Sequence, residues 1–230
     1  MNPSAKRLWP LALLLVGIVA LWSTPFMLPL KILVVFFHEL SHLIAVLLTG
    51  GDPEVLTLTP HQGGAVLARG GNRFVILSAG YLGSLLIGVG LFLAALKSHA
   101  DRWVMTALGV SLLIVAALYV RDGFPLVFCT SAGAVLLIIS RWMTRTVNDW
   151  GFRAIGMTSM IYVPLDIFSD TLARSGLRSD ARMLAEEFGG PTMFWGALWL
   201  FLSFVAILVA LRKTWAVPLQ EELSPDLVRR

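Results

Sequence analysis

Residues 36–48 read FFHELSHLIAVLL, an apolar run into which two histidines and a glutamate have been set. Ionisable side chains inside a bilayer cost roughly 2.5–3.5 kcal/mol each on insertion scales, so three within five positions imply a use. On an α-helix, residues four apart share a face about one turn apart. His38 and His42 can therefore aim their imidazoles at one metal ion, with Glu39 beside it. H-E-L-S-H fits the H-E-x-x-H pattern, in which the glutamate is not a ligand but the base that takes a proton from the attacking water. Zinc suits such a site because it accepts imidazole and carboxylate ligands and keeps one position open in catalytic centres.

The setting is membranous. The chain has 230 residues, 57% hydrophobic and 14% charged, with a mean hydropathy of +0.79. That balance belongs to polytopic membrane proteins rather than soluble domains. The net charge of +4 is no argument for nucleic acid, because Lys and Arg fall mostly at the ends of apolar runs, where they meet lipid headgroups. The single cysteine, Cys129, excludes an intramolecular disulfide.

A transmembrane helix needs about 20 mostly apolar residues. By that measure the chain offers six or seven spans: 8–28, 31–49, 74–96, 103–120, 124–142, 151–170 and 193–211. The stretch 151–170 is the most polar of them, with Arg153, Pro164, Asp166 and Asp170. The fold expected is all-α and polytopic. One transmembrane domain over 1–212 precedes a polar tail, 213–230, and residues 171–192 read as a loop carrying a solvated amphipathic stretch. Between the second and third spans, GGDPEVLTLTPHQGGAVLARGGNR alternates V-L-T-L-T before a Gly-Gly pair, which predicts a short hairpin or re-entrant loop with an exposed strand edge. Small residues in SAGYLGSLLIGVG, 78–90, suit close helix packing. Lys and Arg are balanced on the two sides of a seven-span arrangement, so the charge bias sets no orientation.

A catalytic zinc needs a third protein ligand. Asp166, preceded by MIYVPL, is the deepest carboxylate in an apolar run and is the expected partner of His38 and His42. Asp170, one turn further on, suits a supporting or rim position; Asp122, after Arg121 and before a Gly-Phe-Pro turn, and His61 are further donors.

These segments together resemble the site-2 protease family, in its compact branch without a PDZ domain. The likeness rests on FFHELSHLIAVLLTGG, P-H-Q-G-G, SAGYLGSLLIG, Y-x-x-x-D-I-x-x-D and S-D-A at 179–181. It implies an intramembrane zinc metallopeptidase in which His38, His42 and Asp166 hold one catalytic zinc and Glu39 is the base. Where the family has glycine after the late aspartate, this chain has Ile167. The expected activity is hydrolysis of peptide bonds in or near transmembrane segments of membrane protein substrates. The expected partners are those substrates and the lipid bilayer, not nucleic acid, and the expected place is the inner cell membrane.

An inactive protease-like scaffold is the alternative, and a metal transporter a weaker one. The third, fourth, fifth and seventh spans carry no charged side chain in their interiors, as a transport path would require.

Overall fold

The computed structural model describes residues 3–97, 101–174, 176 and 178–216. The chain is all-α apart from one hairpin: α1 (Pro3–Ala20), α2 (Leu28–Leu48), β1 (Asp52–Leu58), β2 (Gly64–Arg69), α3 (Arg73–Lys97), α4 (Asp101–Tyr119), α5 (Gly123–Trp142), α6 (Arg145–Phe168), α7 (Asp180–Phe188) and α8 (Thr192–Ala216). The polar tail expected at 213–230 lies outside the described residues beyond Ala216, and α8 takes up its first four positions.

Five segments are long and apolar enough to cross a membrane: Pro25–Leu48, Arg73–Ala95, Arg102–Tyr119, Gly123–Trp142 and Thr192–Thr214. They make the chain a polytopic integral membrane protein. Two of the seven expected spans turn out differently. The stretch 8–28 is not one helix: α1 stops at Ala20, a 3-10 turn follows at Pro25–Met27, and the apolar part of α1, Trp9–Ala20, is too short to span alone. Prolines cause the break. Pro25 and Pro29 each sit in the first turn of a new helical segment, where a missing N–H costs nothing.

The stretch 151–170 lies in α6 up to Phe168 and ends in a π-helical turn, Ser169–Ala173, and α6 is long enough but too polar to be counted with the five. Its other helices shield it. Phe152, Ile155, Thr158, Ser159, Val163 and Ile167 are buried, and α6 packs against α3, α8, α2 and α4. Arg153, which has no place in lipid, is answered by Asp149 at 2.8 Å, by the Ala95 carbonyl at 3.3 Å and by the face of Trp150.

The α3–α6 crossing is close because both helices present small residues. A Cβ at Gly156 would stand 2.7 Å from the Gly88 carbonyl oxygen, and one at Gly88 would collide with Ser159. The small-residue run at 78–90 is thus the packing face of α3. Gly90, on the same helix, faces open space.

The segment 52–69 is a hairpin, as its alternation predicts. Leu56 pairs with Val66 and Leu58 with Gly64. The Thr59 N–H donates to the Gly63 carbonyl at 2.8 Å, closing the turn, and Gln62 takes φ 63°. β1 buries Pro53, Leu56 and Leu58, and the Thr57 hydroxyl donates to Asp122 at 2.7 Å. β2 is the outer strand, and its second edge has no strand partner among the described residues.

Gly156→Val should lower the stability of the detergent-solubilised protein by about 1–3 kcal/mol through overpacking against backbone. Gly90→Ala should not. Thermal unfolding followed by circular dichroism separates the two.

Candidate metal centre

α2 carries His38, Glu39 and His42 on its inner face, with Phe36, Phe37 and Val46 buried around them. The two imidazoles meet: His38 Nε2 and His42 Nε2 are 2.9 Å apart, with the rings edge to face. The third donor comes from far along the chain. Asp180 Oδ2 stands 3.0 Å from His38 Nε2 and 3.2 Å from His42 Nε2. Among the described residues this is the one group of three or more metal-ligating side chains that converge on a point.

The expected partner, Asp166, is elsewhere in the same cleft. Its carboxylate faces Arg174 Nη2 at 3.7 Å rather than the histidine pair. The alternatives do not take its place either: Asp170 accepts from Tyr81 and Arg174, Asp122 holds the hairpin, and His61 sits at the hairpin turn. Asp166 is therefore replaced by Asp180 as the candidate third ligand. Ile167, standing where the family pattern has glycine, is fully buried core.

Asp180 does not stand out in the sequence because 171–192 is polar and reads as loop and solvated surface. In the structure, Ser169–Ala173 form a π-helical turn and Asp180–Phe188 form α7. Ser179 caps α7, its hydroxyl accepting from the Arg182 N–H at 3.4 Å. Asp180 begins that helix and is buried with Ala181 and Leu184, whereas Glu186 and Glu187 in its last turn are exposed. The signal was present in S-D-A-R-M-L: an aspartate sharing a helical face with Ala181 and Leu184.

The donor set fits zinc. Donors bound tetrahedrally about 2.1 Å from zinc stand roughly 3.4 Å from one another, and the three here lie 2.9–3.2 Å apart. The tautomer fits too. His42 Nδ1 is 2.7 Å from the Ile76 carbonyl, which can only accept, so Nδ1 carries a proton and Nε2 is the nitrogen turned to the cluster. Burial by itself raises an aspartic acid's pKa, but the imidazoles opposite outweigh it and hold the Asp180 carboxyl well below the usual carboxylate range. Asp180 is thus ionised, the form that binds a metal.

Two glycines make room. A Cβ on Gly80 of α3 would lie against Nε2 of both His38 and His42, the space a shared metal needs. A Cβ on Gly64, the first residue of β2, would strike the Glu39 carboxylate. Glu39 is itself buried, 4% exposed, yet lines the same cavity of about 520 Å³. The wall opposite includes Gly64–Leu67 of β2, with Asp166, Asp170 and Arg174 further round.

The family model described as Peptidase M50B-like matches residues 11–210. The chain belongs to this family, that of the site-2 proteases. The match takes in every residue of the cluster and of the cavity wall. No curated protein and no solved structure matches the chain significantly. Members of the M50 family are zinc metallopeptidases, which agrees with the donor set reached from the geometry.

Zinc content of the purified protein should fall from stoichiometric to near zero in both His38→Ala and Asp180→Ala. It should be retained in Asp166→Ala, as measured by elemental analysis. Gly80→Ala should also lose zinc, because its methyl group takes the metal's space.

Proposed function

We propose that the protein is an intramembrane zinc metalloprotease that cleaves membrane protein substrates in or near their transmembrane segments. The observation that carries this reading is a buried Glu39 lining the same cavity as three convergent donors, within a bundle of membrane-spanning helices. His38, His42 and Asp180 would hold the zinc. Once bound, zinc polarises a carbonyl oxygen and brings the pKa of water toward about 7.

The chain's own groups do the rest. Glu39 lies on the helix between the two histidines, positioned to accept a proton from the attacking water and return it to the leaving amide nitrogen. Its burial against Gly64 keeps bulk water from competing for it. His42 is kept in the productive tautomer by Ile76.

A scissile bond in a transmembrane helix is shielded by the helix's own hydrogen bonds. The substrate must unwind, and unwound backbone at membrane depth is tolerated only where protein or water satisfies it. The edge of β2 at Gly64–Leu67, which has no strand partner among the described residues, turns backbone donors and acceptors along the cavity wall. A substrate strand adding to that edge would regain its hydrogen bonds within reach of Glu39. Regulated intramembrane proteolysis in the inner cell membrane is the biological setting this reading implies.

Glu39→Gln should abolish cleavage of a membrane-embedded substrate, by at least about a hundredfold as expected for loss of a general base, while zinc content and thermal midpoint stay at the parent values. Cleavage at the parental rate by Glu39→Gln in reconstituted vesicles would refute the proposed chemistry.

A further inference from the structure

The two histidines of the cluster are held in different ways. His42 donates from Nδ1 to a backbone carbonyl, the usual support behind a metal-ligating imidazole. His38 has no such bond: among the described residues, both of its hydrogen-bond contacts are made by Nε2. Its ring instead rests edge to face on Tyr81, with centroids 4.6 Å apart and planes at 81°. Something else must therefore fix the plane of Tyr81.

Tyr81 is 2% exposed and meets four elements. It belongs to α3, touches His38 of α2, packs against Trp199 of α8 at 5.1 Å, and donates its hydroxyl to Asp170 Oδ2. The other oxygen of Asp170 accepts from Arg174 Nη2 at 2.7 Å, and Arg174 Nε donates to Ser169 Oγ at 3.0 Å. Asp170 is thus gripped from both sides, inside the π-helical turn Ser169–Ala173. Such turns rarely persist without a local reason. This one is fastened to α8 by Thr171, buried against Gly196. From Arg174 the chain reaches Asp180 in six residues.

We propose that Tyr81, Asp170 and Arg174 form a positioning unit behind the metal ligands. Tyr81 sets the ring plane of His38, and Asp170 ties Tyr81 to the segment that delivers Asp180. Ligands from α2 and α7 are thereby brought into register through one carboxylate that is not itself a ligand. This rests on the reading of His38, His42 and Asp180 as a zinc site. It also accounts for an acidic pair in α6 and its π-helical extension: Asp170 is the anchor, and Asp166, 3.7 Å from Arg174, adds to the charge that holds that arginine.

The test is the rate of zinc release to a chelator from the purified protein and from Tyr81→Phe, Asp170→Asn, Arg174→Gln and Arg174→Lys, beside the thermal midpoint of each metal-free form. Loss of a supporting partner behind a metal ligand costs about tenfold or more in metal affinity. Tyr81→Phe and Asp170→Asn should each release zinc about tenfold faster by that measure. The double variant should be no worse than the more severe single, because both break the same link. Arg174→Lys should keep more of the parental affinity than Arg174→Gln, and the metal-free midpoints should not move. Should Tyr81→Phe fail to fold, Asp170→Asn and Arg174→Gln, whose side chains are partly exposed, carry the comparison. Parental release rates in the variants, losses that multiply in the double, or stability falling in step with affinity would overturn the positioning unit while leaving the zinc site standing. A parent protein that binds no zinc would overturn the proposed function, and the unit with it.

Discussion

Two imidazoles and a carboxylate inside an apolar bundle must answer one another's charge, and that requirement organises the protein. Asp180 is 9% exposed at its side chain, His42 likewise and His38 15%, so none of them can rely on water. Each is placed by a different part of the fold. α2 presents the histidines one turn apart, Gly80 of α3 leaves the gap between them, and the buried start of α7 closes the third side. Removing any one leaves a desolvated group without its partner, the costly half of a buried ion pair. Helix packing and site assembly are therefore linked through α3, whose Gly88 lets α6 approach and whose Gly80 leaves the space the donors share.

The same economy shows in α6. A helix carrying Asp149, Arg153 and Asp166 would be expensive against lipid, and the bundle surrounds it. These three charges have local answers, Asp149 for Arg153 and Arg174 for Asp166. The π-helical turn that extends it converts a helix end into the approach to α7. The cavity is lined by His38, Glu39 and His42 of α2, by the outer strand of the hairpin and by the charged side chains Asp166, Asp170 and Arg174. That arrangement suits a backbone that must leave its own helix to be cut.

Much of this is legible in the residues alone. H-E-L-S-H inside an apolar run marks a candidate metal pair and a candidate base without reference to any other part of the chain, because a four-residue spacing on a helix is a local property. The hairpin is similarly local, written in alternating V-L-T-L-T and the glycines that follow. The third donor is different. Asp166 and Asp180 are both aspartates beside apolar residues, and hydropathy favours the deeper one, yet the deeper one faces Arg174. A short amphipathic helix with a serine cap reads as surface from its composition, although its Asp180 face is buried.

What the sequence by itself determined was everything carried by periodicity within one segment: the membrane class, the helix bearing His38, Glu39 and His42, and the strand pair. What only the tertiary structure decided was which distant carboxylate joins them and which helices meet lipid. The physical reason is that a contact across 142 residues depends on how α7 packs against α8 and α3, which no pattern along the chain carries.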